Sequence, residues 1–475
     1  MRKAAIINLI SRYSVVIIQL FINFILARLI SPQEFGIVVI ITVFTNFFTI
    51  FSDLGIGAAI IQYKNLDQDD YNSIFSFMFY LGLLLGAAFI IVGVIISDLY
   101  DNTVYVSLSS ILAISIFFNT MNVVPNSIML KEQRFFEIGI RTFSTAFISG
   151  VITIFLAFLH FSYYAVTINA VLLAVSVYCW NRIRVPIKLN FRFSRRPLIE
   201  VFGFSIYQLL FSVINYFSNN TDTLLIGKFM GEKNVGLYDK AYRLMSYPMT
   251  MFAGIVTPIL HPILSNYQND KQLLYHYLIK IFRVLLYFSI FVSCVCYFAP
   301  REIIRILYGK NWDLAIKSFQ ILSLSIVTKI CTSITGSFFQ SLNKTEKLFK
   351  TGLASTILIV GFTIIGVFIG NIESVSIFVS IAHLLNFWLT YYLLIKEGFE
   401  MKYIVFFKLA IRPYTIYIFI LIVLTFIPLK VANVFVSLLL KVTIVTIIYI
   451  IFLVLFKEWK NLKDAYKMIW GNRNL

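Results

Sequence analysis

Long apolar runs dominate the chain, interrupted by short clusters of charged residues, Gly and Pro. The interruptions leave fourteen segments, near 6–30, 35–60, 73–97, 104–130, 139–160, 163–183, 199–227, 235–265, 277–299, 314–341, 350–370, 372–395, 403–427 and 431–456. Such segments suit helices crossing a hydrocarbon layer ~30 Å thick. The ~10-residue alternating segments of a membrane β-barrel are not seen. The pattern predicts an all-α polytopic membrane protein with about 14 transmembrane helices. The seventh and eighth runs are long, and part of each is expected to line a polar cavity rather than face lipid.

Polar positions within these runs are not scattered. With ~100° per residue, Asn8, Arg12, Gln19 and Asn23 of the first helix fall within about 60° of one another. Gln208, Ser212, Asn215, Asn219 and Asp222 of the seventh fall within about 80°. Thr42, Asn46, Thr49 and Asp53 form a stripe on the second helix, and Ser115, Asn119, Asn122 and Asn126 one on the fourth. Lys240, Arg243, Tyr247 and Thr250 share a face of the eighth, and the tenth carries Ser325, Lys329 and Thr332.

The first and seventh helices also end alike. "LARLISPQEFGIVV" and "IGKFMGEKNVGLYD" align without a gap at an offset of 200, placing Arg28 on Lys228, Ser31 on Gly231 and Gly36 on Gly236. The same offset sets Asn8 on Gln208 and Gln19 on Asn219. Two parallel repeats, each opening with a helix whose polar stripe must avoid lipid, predict two lobes facing a shared cleft. The organisation expected is an N-terminal six-helix lobe over 1–183, a basic cytoplasmic linker at 184–198, a second six-helix lobe over 199–396, and two further helices with a basic tail over 397–475.

Composition sharpens this. The 475 residues are 59% hydrophobic and 13% charged, against ~25% charged in soluble domains, too little polar surface for a water-soluble globule. With the N-terminus inside, 27 of the 40 Lys and Arg fall at cytoplasmic loops and helix ends and 7 on the opposite side. Both termini are therefore expected in the cytoplasm. The net charge of +18 is read as short loops facing anionic lipid headgroups, not as a nucleic-acid surface. The first apolar run shows no cleavage site and reads as a retained helix. Cys179, Cys294, Cys296 and Cys331 have no metal-ligand or redox spacing and read as buried structural thiols.

An ionised side chain at membrane depth is costly unless it meets water or a partner. Arg12, Arg243, Lys329 and Lys240 are therefore candidates for a cationic cavity, with Asp222 or Asp239 as structural partners in the competing reading. Asn8, Gln19, Asn23, Asn46, Asn119, Asn122, Gln208, Asn215, Asn219 and Asp222 are the expected polar lining. Asp53, Asp222 and His383 are candidate coupling or gating groups, with hydrogen-bonded packing the simpler reading for His383. "GLLLG" at Gly82–Gly86 and "GVFIG" at Gly366–Gly370 suit close helix packing.

In "LISPQEFGIVVI", "FSDLGIGAAIIQ", "NSIMLKEQRFFEIGI", "LIGKFMGEKNVGLYDKAYRLM" and "TPILHPILSNYQND" the chain resembles the polysaccharide transporters, the Wzx-type flippases of the MOP superfamily. The likeness covers about the first 350 residues, and the last four helices agree only in hydropathy. His261 stands where the family would have an apolar residue. The resemblance implies two six-helix lobes around a cationic cleft and alternating access. It implies export of an undecaprenyl-pyrophosphate-linked oligosaccharide across the bacterial inner membrane for surface polysaccharide synthesis. Partners implied are that lipid-linked glycan, with the polymerase and glycosyltransferases of the same pathway. Two alternatives stay open, a MATE-like antiporter for organic cations and a membrane-embedded polysaccharide polymerase. The first calls for midplane acids where this chain has bases; the second for a large external loop with paired carboxylates, whereas "APREIIRILYGKNWD" has Glu302 and Asp313 unpaired. No phosphate-cradling Gly-rich Lys motif is present, so no cofactor or bound ATP is expected.

Overall fold

The computed structural model describes residues 2–458 except 64–65, 191–212, 214–215, 218, 266, 269, 428, 430 and 457; of 2–13, 15, 252–263, 265 and 345 it describes the helical course alone. The described residues are mostly helical, with no strand among them. The described parts of the expected segments are mainly helical, with breaks inside the second and the tenth. Ten of the described helices are long and apolar enough to cross a membrane, or eleven if one bent pair is a single span.

Seven helices begin the chain: α1 (Arg2–Leu29), α2 (Pro32–Asp53), α3 (Ile56–Gln62), α4 (Gln68–Tyr100), α5 (Val104–Lys131), α6 (Phe135–Phe158) and α7 (Tyr163–Arg184). The second predicted span is in fact α2 and α3, divided at Leu54 and Gly55, both with left-handed backbone (φ 46° and 73°). Packing divides the chain into Met1–Gly236 and Leu237–Leu475. That boundary falls beyond the linker expected at 184–198, and the described end of the expected seventh segment is fastened to the first unit. Tyr216 donates to the Val43 carbonyl, Lys228 Nζ donates to the Leu99 carbonyl at 2.6 Å, and Tyr100 OH to the Leu224 carbonyl at 3.2 Å.

Within the first unit α5 lies against α4 and α7, and α1 against α6. The small residues of α4 make that approach possible. A Cβ on Gly86 would lie 3.3 Å from the Ala113 carbonyl oxygen, and one on Gly82 3.1 Å from Phe117. Close packing at "GLLLG" is as expected.

The repeated turn has a direct structural counterpart. Ser31 and Glu34 form a capping box on α2, with Ser31 N–H donating to Glu34 Oε2 at 2.8 Å and Glu34 N–H to Ser31 Oγ at 3.3 Å. Its counterpart is the start of the helix Glu232–Ser265, preceded by Gly231 at φ +84°. The two starts pack backbone to backbone. A Cβ on Gly36 would stand 1.8 Å from the Glu232 carbonyl oxygen, and one on Gly236 2.0 Å from that of Pro32. Pro32 and Glu232 are themselves partners under the offset, so the contact is reciprocal, and only glycine fits at either side.

In the second unit the helix Lys271–Phe298 packs on Ser325–Thr332, Ile316–Ser323, Tyr403–Thr425 and Val434–Leu455. The tenth segment, expected as one run over 314–341, is broken into Ile316–Ser323, Ser325–Thr332 and Thr335–Ser341, with a 53° bend at Leu324. Its hydroxyls explain the breaks. Ser323 bonds back to the Gln320 carbonyl, Thr328 to Ser325 and Thr332 to Thr328, which competes with the helical ladder and bends it. A Cβ on Gly366 would lie 2.8 Å from Val375 Cα, a close approach again suggested by its motif. Cys294 and Cys331 are buried, Cys296 is half-buried, and Cys179 is exposed on α7 rather than buried. A thiol is apolar enough to face lipid there.

Candidate functional site

In the first unit the stripes of α2 and α5 converge. Thr42, Thr45, Asn46, Thr49, Ser115 and Asn119 line a cavity of about 290 Å³, closed on the α7 side by Ala170, Leu173 and Ala174. A second cavity of about 390 Å³ is lined by Asp53, Asn119, Asn122, Asn126 and Ser127. Asn119 belongs to both, so the expected lining residues Asn46, Asn119 and Asn122 are brought together with Asp53. Asp53 Oδ1 accepts the Gly57 N–H at 3.0 Å, across the break between α2 and α3.

Behind the second cavity lies a group the sequence reading passed over. Arg141 of α6 is buried, at 7% exposure, and Nη1 donates to Asn126 Oδ1 at 3.0 Å and Asn181 Oδ1 at 2.6 Å. Asn181 Nδ2 in turn donates to Asn122 Oδ1 at 2.7 Å. The signal was present: an arginine within an apolar run needs a partner. It was hidden by its closeness to a basic helix end.

The second unit holds three of the four expected bases, each in a different setting. Lys240 is 3% exposed, with Nζ 5.3 Å from the Tyr308 ring centroid and 5.8 Å from that of Trp312. Its stem and head are enclosed by aromatic faces, which attract a cation. Arg243 Nε lies 2.7 Å from Asp239 Oδ2, one turn away, and its side chain is 53% exposed. Lys329 Nζ donates to Tyr242 OH at 2.9 Å and stands 4.4 Å over that ring. Tyr242 also neighbours His383, ring centroids 6.5 Å apart, and His383 Nε2 is buried with no hydrogen-bond partner among the described residues. Tyr242 was not foreseen; its sign in the sequence is the pair Tyr238 and Tyr242, one turn apart and 5.8 Å between centroids.

Asn23 Nδ2 donates to the Gln19 carbonyl at 2.9 Å, and Gln19 is exposed. Asn219 is exposed, and Asp222 Oδ1 accepts the N–H of the next residue, Thr223, at 2.8 Å. Gln208, Ser212 and Asn215 lie outside the described residues, as do the side chains of Asn8 and Arg12. Among the described residues no His, Cys, Asp and Glu gather as metal ligands.

Comparison with known proteins adds the family context. The family described as "Polysaccharide biosynthesis protein" matches residues 25–317. The chain is 22% identical to the lipopolysaccharide biosynthesis protein WzxC of Escherichia coli strain K12 over 386 residues, covering 80% of this chain and 77% of the relative. Among solved structures it is similar to the lipid II flippase MurJ in an inward closed conformation, with TM-score 0.75 and 18% identity, covering 96% of this chain and 99% of the other. An inward-facing multidrug resistance MATE family transporter of the MOP superfamily matches at TM-score 0.60 and 18% identity, covering 81% and 96%. The fold is thus that of the MOP transporters.

Proposed function

Because the chain belongs to the polysaccharide biosynthesis protein family, we propose that it moves a lipid-linked oligosaccharide across the bacterial inner membrane for surface polysaccharide synthesis. The observation that carries this reading is the family match over 25–317 together with the near full-length likeness to a lipid II flippase. The carrier is undecaprenyl pyrophosphate, and transport is by alternating access, with both termini cytoplasmic. The chain acts as a transporter and not as an enzyme, supplying product to a polymerase and taking substrate from glycosyltransferases.

Arg243 and Lys329 are the bases assigned to the pyrophosphate, with Arg12. The half-open settings of Arg243 and Lys329 support this: Arg243 turns one side to Asp239, which leaves donors of its fork over. Lys329 is held by one hydroxyl and keeps two further ammonium hydrogens. Lys240, enclosed by Tyr308 and Trp312, contributes charge from behind rather than contact.

The experiment is complementation of a strain lacking this gene, scoring surface glycan and accumulated lipid-linked intermediate, with membrane protein level alongside. Restoration of glycan by the natural chain, and its loss with Arg243→Gln and Lys329→Gln at normal protein level, is the expected result. Full glycan display by both variants would remove the bases from the site, and no rescue by the natural chain would remove the transport reading.

A further inference from the structure

The groove inside the first unit is not absorbed by pyrophosphate binding. Amides and hydroxyls share its lining with aliphatic side chains, Asp53 is its one charged side chain, and no aromatic ring lines it. The two cavities, about 290 and 390 Å³, are of the size of small-ligand sites (~300–1,000 Å³). A carboxylate in the lining disfavours a second anion.

The amide orientations are set by chemistry. A guanidinium only donates, so Asn126 and Asn181 must both turn their oxygens to Arg141. Asn181 then has only its NH₂ to offer Asn122, which must answer with its oxygen. The relay leaves the NH₂ groups of Asn122 and Asn126 as donors, four residues apart on one face of α5. Asp53 keeps acceptor capacity beyond the single N–H it takes from Gly57. A cation held by Asn122 and Asn126 would need their oxygens, and the relay has turned those two away.

A row of donors beside a carboxylate suits a polyol, whose hydroxyls both donate and accept. We propose that this groove binds the sugar portion of the transported lipid-linked glycan, with Asn122 and Asn126 donating to sugar oxygens and Asp53 accepting from a sugar hydroxyl. Arg141 and Asn181 are positioning residues. The assignment rests on the transport reading above and adds where glycan selectivity resides.

The test uses the full chain in lipid nanodiscs and two probes: undecaprenyl pyrophosphate alone, and the same carrier bearing the host's own oligosaccharide. The natural chain is expected to bind the glycan-bearing carrier about tenfold more tightly, the worth of one or two net hydrogen bonds. Asn126→Asp keeps an oxygen for Arg141 but removes the NH₂, and Asp53→Asn removes the carboxylate. Each is expected to lose most of the preference while binding the bare carrier as before. Retained preference in both variants overturns the inference, as does equal weakening toward both probes, which would make these groups structural. Sodium binding gained by Asn126→Asp at the expense of neither probe would mark a cation site instead and also overturn it. Failure of the natural chain to bind either probe overturns the transport reading; bare-carrier binding without a glycan preference overturns this inference alone.

Discussion

In the first unit the buried guanidinium of Arg141 meets two amide oxygens and makes no ion pair among the described residues; in the second, the buried carboxylates of Glu302 and Glu458 are each met by a basic side chain. Glu302, 5% exposed, accepts from Lys441 Nζ at 2.9 Å and Ser437 Oγ at 2.8 Å, joining the short helix Pro300–Leu307 to Val434–Leu455. Glu458, 4% exposed, takes Tyr287 OH at 2.6 Å and Arg412 Nε at 3.1 Å. A carboxylate cancels the field of its partner and closes the site, whereas an amide shell satisfies hydrogen bonds and leaves the charge felt nearby. The carboxylate pairs therefore act as fasteners for the last helices, and the amide relay is the arrangement that can serve a ligand.

The largest expected effect tests the fasteners. Glu302→Gln strands the Lys441 ammonium, and Lys441→Met strands the carboxylate, each costing about 3–5 kcal/mol. The double variant should recover most of that loss, since replacing a whole buried pair with uncharged groups is often near neutral. Thermal unfolding of the detergent-solubilised protein, followed by its fluorescence, reads both. Two single variants as stable as the natural chain would break the comparison at its first term.

Arg141→Leu is expected to cost less, about 1–3 kcal/mol, because it leaves uncharged amide oxygens without a donor rather than a stranded ion. The same unfolding measurement checks it. A loss larger than that of Glu302→Gln would mean that Arg141 carries a partner role beyond the two amides, and the contrast between the units would fail.

These charges also mark where the sequence was legible. Helix positions and the repeat were readable because both rest on periodicity and hydropathy, which survive in any structure of the chain. The stripes of α2 and α5 were readable for the same reason: Asn46 and Asn119 line one cavity of the first unit, and Asn119 and Asn122 the other. Partnership was not readable, because it is set by which neighbours arrive across the packing. Arg243 and Lys240 sit three residues apart on one helix, yet one is half-exposed beside Asp239 and the other is enclosed by Tyr308 and Trp312, about 70 residues away in sequence. Arg141 and Asn181, 40 residues apart, illustrate the same limit. The breaks in the tenth segment come from hydroxyls bonding back to their own helix, a local effect that hydropathy does not register.

The reciprocal turn gives a comparison on a smaller scale. Gly36→Ala and Gly236→Ala each drive a Cβ into a fixed backbone oxygen, at 1.8 and 2.0 Å, and overpacking of this kind costs about 1–3 kcal/mol. Gly352 has nothing within 4 Å of its added Cβ and lies inside the helix Thr345–Phe368, so Gly352→Ala should be neutral or stabilising by up to about 1 kcal/mol. The check is the unfolding midpoint of the three variants side by side. Equal behaviour at all three positions would show that the helix starts can slide apart without penalty.

The smallest effect is expected where charge is paired but exposed. Glu400 lies between two helices, with Lys271 Nζ at 2.9 Å and Lys344 Nζ at 3.7 Å, and 58% of its side chain is exposed. Lys271 holds its carboxyl below the usual carboxylate range, first by hydrogen bonding and then by charge. A depressed carboxylate contributes stability that is present above its unfolded pKa, about 4.3, and is lost as pH falls through the folded value. At neutral pH the pair is fully formed, yet water and salt screen it, and exposed pairs contribute little. Glu400→Gln should leave the unfolding midpoint unchanged at pH 7 in physiological salt, and any difference from the natural chain should fade as pH falls through the lowered folded value. A drop at pH 7 as large as that of Glu302→Gln would show that pairing, and not burial, sets the energy of these charges, and the contrast drawn between the two units would lose its physical basis.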